Sequence, residues 1–304
     1  MDRLPPEQAT GSARWISFLY VVGAAALLAW HAYLTLGLFG APVALDNILD
    51  NRPILSGFHP QHQYLGHLGS QSIAHDGRFC AFDPAFQAGY PMTPVFNDSR
   101  LPQLCMLVRG GGFDPAAYKI GIAAASLLVP LLLLVAGWGA GLGGPTTLLG
   151  TICGMLLWWG PHGRQALEAG DIEILIAALA VLAHIGLLIQ FHRNPSCRAW
   201  LGLALTGALG WFLQPLLVPI AFPLLLIYYI SVGIRHASLT WHVALAAAEL
   251  VGLGVNLFWL VDWAVFWWLR APQPLGEMLA HRTFQTIWDA PLWGGLVERG
   301  FATL

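Results

Sequence analysis

One almost uncharged run of this chain extends from Lys119 to Trp159 and reads KIGIAAASLLVPLLLLVAGWGAGLGGPTTLLGTICGMLLWW. As a single helix it would reach about 60 Å, twice the roughly 30 Å of a bilayer's hydrocarbon core. The run must therefore turn, and Gly141-Leu-Gly-Gly-Pro145 is the segment most typical of a turn. We predict one membrane span at 119–140 and a shorter one at 146–159.

Further apolar runs lie on both sides of this one. Trp15–Leu38 and Ile172–Phe191 are each about long enough for one crossing. A last span is predicted to extend from Trp241 to position 262 or 268. These runs predict helices that cross the bilayer.

Residues 199–233 form an apolar run that is again too long for one crossing. Gln214-Pro215 divides it, because proline removes a backbone hydrogen bond and clashes with the preceding helical turn. With these two short spans, the predicted fold class is an all-α membrane protein, a polytopic bundle of about seven transmembrane helices with a long first external loop that contains short helices.

The composition supports the same class. The 304 residues are 57% hydrophobic and only 10% charged, whereas a soluble domain carries roughly 25% charged residues. This excludes a soluble globular enzyme and a disordered chain. The formal net charge of −2 gives no field that attracts nucleic acid, so the expected partner is the lipid bilayer and no nucleic acid.

Basic residues in the short connections indicate the orientation. If the chain crosses the membrane seven times, five arginines fall on the same side as the N-terminus: Arg3, Arg14, Arg193, Arg198 and Arg235. The short connection on the opposite side, 160–171, contains only Arg164. The N-terminus is therefore predicted to be cytoplasmic, in a multi-pass protein of the bacterial inner membrane. Residues 1–304 form a single transmembrane domain, with 40–117 as an external loop and 270–304 as an external tail.

The 40–117 loop concentrates the charge of the chain. It holds six Asp, four Arg and four His in 78 residues. Ser, Asn and Gln would suffice to solvate a loop, so this composition favours a functional site. One helix is predicted to carry His59 and His62, with Tyr64, Leu65 and Leu68 as its apolar face.

Several short motifs in and beyond this loop resemble those of a known superfamily. They are His59-Pro-Gln-His62, Phe82-Asp83-Pro84, Gly89-Tyr90-Pro91, Leu101-Pro102, Glu168-Ala-Gly-Asp171 and Asn256-Leu-Phe-Trp259-Leu. With a first span, a long external loop and many short spans, the chain resembles the polytopic glycosyltransferases of the GT-C superfamily. Within that superfamily it is most similar to bacterial YfhO-type proteins.

The resemblance implies transfer of a sugar from a polyprenyl-phosphate donor to a cell-envelope acceptor on the outer face of the membrane. This reaction needs a base for the acceptor hydroxyl and a cation for the departing phosphate. The superfamily places an acidic residue early in the first loop, but here the position three before His62 is His59. The candidate catalytic acids are Asp46, Asp50, Asp83 and Asp98, and the candidate donor-phosphate ligands are His59, His62 and Arg100.

The missing acid before His62 favours an alternative, a non-catalytic membrane protein that binds lipid-linked glycan or transports a solute. The cofactor stays open, with a divalent metal ion as one candidate. The sequence also leaves open whether Cys80 and Cys105 of the loop pair. Because superfamily members are usually longer and end in a soluble domain, a shortened gene product or a fragment is one further expectation.

Overall fold

The structure, a computed structural model, describes residues 6–40, 45–77, 81–83, 90–92, 99–109, 112–215, 217–235 and 238–265. In chain order its helices are α1 (Pro6–Gly37), α2 (Leu45–Leu49), α3 (His59–Asp76), α4 (Arg100–Arg109), α5 (Pro115–Gly139), α6 (Gly144–Trp159), α7 (Pro161–Ala169), α8 (Ile172–Arg193), α9 (Cys197–Leu213), α10 (Leu217–Ser231), α11 (Leu239–Gly254) and α12 (Leu257–Val265). Strands β1 (Ala81–Asp83) and β2 (Tyr90–Met92) pair antiparallel, with Asp83 opposite Tyr90. The predicted all-α class is confirmed.

Three helices of the described chain are long and apolar enough to cross a membrane: residues 18–37 of α1, α5 and α8. Three further apolar helices are shorter, at Cys197–Leu213, Ala221–Arg235 and Leu239–Gly254. The helices therefore suggest a membrane protein, in agreement with the predicted class. The count of seven spans stays a prediction.

The two predicted breaks in the long apolar runs coincide with helix ends. α5 ends at Gly139 and α6 begins at Gly144, with Gly141 at φ +76°, a value that favours glycine. α9 ends at Leu213 and α10 begins at Leu217, so Pro215 lies between them. Turn glycines and proline thus place both breaks where the sequence predicts them.

The predicted last span, from Trp241 to Asp262 or Trp268, is not one continuous helix. α11 ends at Gly254 and α12 begins at Leu257. The side-chain amide of Asn256 donates to the carbonyl oxygen of Ala208 on α9 at 2.9 Å, and its Oδ1 accepts from Trp259 Nε1 at 2.9 Å. Asn256 thereby fixes the break against α9 and orients Trp259, which is fully buried.

The core of the bundle lies between α5 and α8. The two helices approach closely at small residues, because a Cβ on Gly139 would lie 2.5 Å from the carbonyl carbon of Gly186. Small residues at such crossings let helix backbones pack tightly in membranes. Val129, Ile176 and Met155 of the surrounding core are fully buried.

α1 is joined to this core by a buried histidine. His31 Nε2 lies 2.8 Å from the carbonyl oxygen of Ser126 on α5, and Trp159 Nε1 donates to His31 Nδ1 at 3.1 Å. A carbonyl only accepts, so Nε2 carries the proton. The imidazole is neutral in this arrangement and links α1 to α5 and α6.

The 40–117 segment contributes short helices that pack on the start of α5. α4 lies closest, because a Cβ on Gly121 of α5 would meet the Cα of Pro102 at 2.5 Å. α4 buries Met106 and exposes Val108. The assignment of this segment to the outer side of the membrane stays a prediction.

The predicted apolar face of α3 is only partly correct. Leu65 is 4% exposed, but Tyr64 is 43% exposed and donates from its hydroxyl to Asp83 Oδ2 at 2.9 Å. The buried face instead carries His59 and His62. These histidines turn inward because the groups that they bond lie on α5 and α7.

Candidate functional site

A cleft of about 450 Å³ opens where the end of α1, the 40–117 segment, the start of α5 and the end of α7 meet. α1 ends and α5 begins at this level, so the cleft lies at one end of two candidate spans. Its charged or titratable lining residues are Asp50, Arg52, His59, Lys119 and Glu168. Much of the remaining wall is apolar, and it includes Leu38, Phe39, Pro53, Ile54, Ile122 and Leu167. The cleft thus combines opposite charges with an apolar wall next to the membrane helices.

Lys119 holds α2 against the first turn of α5. Its ammonium group donates to the backbone oxygens of Asn47 at 2.8 Å and Asp50 at 3.1 Å, and to the carboxylate of Asp50. Carbonyls at a helix C-terminus attract cations. Lys119 is only 4% exposed, so its charge is neutralised in place by Asp50.

Asp50 is the predicted acid that reaches the cleft. Its side chain is 30% exposed, and Arg52 Nε lies 3.6 Å from its second oxygen. The hydrogen bond from Lys119 is the main cause that lowers the pKa of this carboxyl. Asp50 is therefore an ionised acceptor between two cations at neutral pH.

His59 lies on the inner wall of the cleft at the first residue of α3. Its Nε2 is 2.8 Å from the carbonyl oxygen of Leu167, and its Nδ1 is 3.0 Å from the hydroxyl of Tyr118. Because the carbonyl accepts, Nε2 carries the proton and Nδ1 accepts from Tyr118. Burial lowers the pKa of His59, which favours this neutral form.

A chain of hydrogen bonds extends behind His59 into the protein. Ser99 Oγ lies 3.0 Å from the Tyr118 hydroxyl. Since Tyr118 donates to His59, the serine donates to the tyrosine, and the bonds point from Ser99 through Tyr118 and His59 to Leu167. His62 Nδ1 is 3.5 Å from the same hydroxyl. His62 is buried and is not among the residues that line the cleft.

Gly57 allows α7 and α3 to approach each other next to His59. Gly57 has φ +54°, and a Cβ there would lie 2.6 Å from the carbonyl oxygen of Ala169. The adjacent Phe58 N–H donates to the same oxygen at 2.8 Å. This contact positions His59 below Leu167 and brings Glu168 to the cleft.

Arg100 lies apart from the cleft, and its role as a phosphate ligand stays a prediction. Its guanidinium donates to the carbonyl oxygen of Leu213 at the end of α9, and it lies 5.2 Å from the ring centroid of Trp259. The side chain is 2% exposed. In this position Arg100 joins α4 to α9 and α12, and it is not a lining residue of the cleft.

Two other predicted acids, Asp46 and Asp83, are also apart from the cleft. Asp46 is exposed on α2, and Asp83 is buried against Tyr64 on the β1 side of α3. Asp98, Pro84–Gly89 and Cys80 lie outside the described residues, so the predictions for them stay predictions. The structure therefore brings together Asp50 and His59 of the seven predicted site residues.

Sequence reasoning did not name four residues as members of this site: Arg52, Tyr118, Lys119 and Glu168, although Glu168 stands in one of the motifs that resemble the superfamily. The signal for Lys119 was present, because a cation at the start of an apolar run needs a partner. A similar signal marks Glu173, two residues inside α8, which is fully buried and accepts from the Leu101 N–H at 2.6 Å. Tyr118 gave no signal, since an aromatic residue at that position is equally typical of a core.

In the described part of the chain, no group of three or more His, Cys, Asp or Glu side chains stands in a position to hold a metal ion. Comparisons with protein-family models, curated proteins and solved structures gave no match.

Proposed function

We propose that this protein is a membrane glycosyltransferase that transfers a sugar from a polyprenyl-phosphate donor to a cell-envelope acceptor. The observation that carries the proposal is the cleft at the end of α1 and the start of α5, which combines Asp50 and Glu168 with Lys119 and Arg52. Carboxylates and cations in one cleft are the two kinds of group that phosphate-linked glycosyl transfer needs. The motif resemblance to the GT-C superfamily supports the same function.

The residues divide into two roles. Lys119 and Arg52 bind the donor phosphate, and Asp50 accepts the proton of the acceptor hydroxyl. The acceptor oxygen forms a bond to the anomeric carbon, while the bond from that carbon to the phosphate oxygen breaks. The polyprenyl phosphate is the leaving group, and the two cations stabilise its negative charge. Glu168 is placed to hydrogen-bond the sugar hydroxyls.

The pairing of Asp50 with Lys119 gives this scheme an order of events. In the empty cleft the lysine lowers the pKa of Asp50 and weakens it as a base. A donor phosphate competes for Lys119 and Arg52, so its binding raises the pKa of Asp50 towards the ordinary value. The base thus becomes effective once the donor is bound.

We also infer a topology in which seven spans place the N-terminus in the cytoplasm and the cleft at the outer face of a bacterial inner membrane. The basic residues of the short connections support this orientation. The apolar wall of the cleft, formed in part by Leu38, Phe39 and Ile122, then borders the lipid and receives the polyprenyl chain.

The proposal is tested with purified protein in lipid vesicles that contain a radiolabelled polyprenyl-phosphate sugar. Asp50→Asn keeps the shape and an acceptor oxygen but removes the base, so we expect transfer to fall by about 10²- to 10⁴-fold. Asp76→Asn, at an exposed end of α3 away from the cleft, is the matched control and retains the wild-type rate. Asp46→Asn, Asp83→Asn and Asp98→Asn test the other sequence-predicted acids in the same assay.

A result in which Asp50→Asn matches the wild type contradicts the assignment of the base. If the wild type transfers no sugar from any polyprenyl-phosphate donor, glycosyl transfer itself is contradicted.

One observation favours a second function, binding of a lipid-linked glycan without catalysis. The Lys119 hydrogen bond lowers the pKa of Asp50 and so makes it a poor base in the empty cleft. A binder retains labelled donor when it is extracted and purified in detergent, without turnover, and it loses this retention when Lys119 is changed to Gln. The two functions are separated by measuring retention and transfer on the same samples.

A further inference from the structure

A second group of titratable side chains lies inside the helical bundle, apart from the cleft. His184 occupies the middle of α8, about 18 Å along the helix from Ile172 at 1.5 Å per residue. Its Nε2 lies 3.0 Å from Glu249 Oε1 on α11, and its Nδ1 lies 3.0 Å from Thr206 Oγ1 on α9. Since α8 is a candidate span, the pair is located at the depth of the hydrocarbon core.

The hydrogen bonds of Thr206 define the state of the imidazole. The threonine has a single O–H, and it lies 2.8 Å from the carbonyl oxygen of Gly202, which can only accept. Its lone pairs are therefore the groups that face His184, and Nδ1 of the imidazole carries a proton and donates it.

One more proton must then lie between His184 and Glu249. A bare Nε2 lone pair and a bare carboxylate oxygen would repel each other at 3.0 Å. The contact is attractive only if Glu249 is protonated and donates, or if the imidazole is doubly protonated and donates to the carboxylate. In both forms the pair is neutral as a whole, which is the state that an apolar membrane favours.

In the described part of the chain, no ion pair other than the one between His184 and Glu249 involves either side chain. α5, which packs on α8, has no ionisable residue from Ile120 to Gly139. α9 presents Thr206 and Gly207 to the pair. Tyr229 on α10 and His242 in the first turn of α11 bond each other at 3.1 Å, about two helical turns from Glu249.

The carboxyl group is nevertheless accessible. The side chain of Glu249 is 46% exposed, whereas His184 is 7% exposed. The neighbouring Leu250 is 67% exposed and Leu205 on α9 is 61% exposed, so the exposed edge of Glu249 opens onto an apolar surface. Ionisable groups in such positions are costly and are retained chiefly for function.

We propose that Glu249 and His184 form a proton-binding site within the membrane domain, which exchanges its single shared proton at the apolar surface between α9 and α11. The site rests on the placement of α8 in the membrane and is independent of glycosyl transfer. Loss of the proton leaves the pair with a net negative charge, which the apolar surroundings disfavour, so the contact between Glu249 and His184 weakens. Proton occupancy thus controls the contact between these two side chains.

The test uses the full-length protein in lipid nanodiscs and the membrane-soluble reagent dicyclohexylcarbodiimide. A protonated carboxyl gives its proton to a carbodiimide nitrogen, and the carboxylate oxygen adds to the central carbon. Migration of the acyl group to nitrogen leaves a stable N-acylurea, with no atoms lost, which peptide mass spectrometry locates. We expect labelling at Glu249 that declines with rising pH, by up to about tenfold for each pH unit once the proton is lost.

Two variants complete the test. Glu249→Gln removes the label from that peptide only. In His184→Gln the carboxyl group of Glu249 loses its imidazole partner, so the pH dependence of its labelling should change. Absence of label at Glu249 at every pH, or labelling that does not change with pH, would overturn the proposal. Sugar transfer is assayed on the same samples, so failure of either idea is seen separately.

Discussion

Two histidines of this protein each join a hydroxyl group to a second partner, but their partners require different numbers of protons. His59, beside the cleft, bonds a tyrosine hydroxyl through one nitrogen and a backbone carbonyl through the other. His184, inside the bundle, bonds a threonine hydroxyl and the carboxyl group of Glu249. A neutral imidazole satisfies the first set of partners, whereas the second set requires an additional proton.

The difference between the two sets of hydrogen-bond partners indicates how each region can change state. Near the cleft the charged groups, Asp50 and Lys119, neutralise each other, so His59 needs no charge and burial keeps it neutral. Among the described residues, the ion-pair partner of Glu249 is His184 of its own pair. A ligand that fills the cleft can therefore displace the charges of the first region, whereas the second region responds to protons.

The largest effect on stability is expected from Tyr118→Phe. The change removes the hydroxyl that donates to His59 and accepts from Ser99 while it keeps the buried ring. Leaving buried polar groups without this partner costs about 1–3 kcal/mol of the free energy of unfolding. The measurement is denaturant unfolding in detergent micelles.

Tyr33→Phe is the control for Tyr118→Phe. Tyr33 is 62% exposed, so loss of its hydroxyl leaves no buried polar group without a partner and the unfolding free energy changes little. Equal losses in the two variants would show that the buried hydrogen-bond chain is not specific to the cleft region.

The fold was predictable from the sequence where the determinants are local. The apolar runs predict the helices, and Gly141 and Pro215 mark the breaks because turn formation and helix breaking depend on neighbouring residues. The break at Asn256 was missed because its cause is the carbonyl of Ala208, 48 residues earlier on another helix. No local pattern contains that bond.

The candidate site was predictable only in part for the same reason. Asp50 and His59 were predicted from the unusual charge of the loop, and both reach the cleft. Arg100 was predicted as a phosphate ligand because its partners, Leu213 and Trp259, are more than a hundred residues away in sequence. Only the packing of α4 on α9 and α12 distinguishes a cation that binds the protein from one that binds a ligand.

An intermediate effect is expected from pH. The folded protein holds His59 with a lowered pKa, whereas in the unfolded chain histidine titrates near pH 6.5. The unfolded state then binds more protons below about pH 6.5, so the wild type loses stability as pH falls, by at most about 1.4 kcal/mol per pH unit for one proton. His59→Gln should flatten this part of the stability curve.

The control is His75→Gln, at an exposed position of the same helix, which should keep the wild-type slope. Unfolding free energies of the wild type and both variants are compared at several pH values on the acid side. An unchanged slope in His59→Gln would mean that His59 is not held neutral in the folded protein.

The smallest effect is expected from Thr206→Val, which tests the bundle side of the comparison. Valine keeps the shape of threonine but cannot accept from His184 Nδ1, and a hydrogen bond between membrane helices contributes about 0.6 kcal/mol on average and up to about 1.7 kcal/mol. Thr151→Val is matched to it, because Thr151 is also buried and its hydroxyl donates within its own helix, to Thr147. The difference in unfolding free energy between the two variants therefore measures the link from Thr206 to His184.

Without that acceptor the imidazole can turn away from Glu249, so carbodiimide labelling of Glu249 should also change its pH dependence in Thr206→Val and not in Thr151→Val. If both variants behave alike in unfolding and in labelling, Thr206 does not set the protonation of His184, and the contrast between the two histidines loses its structural basis.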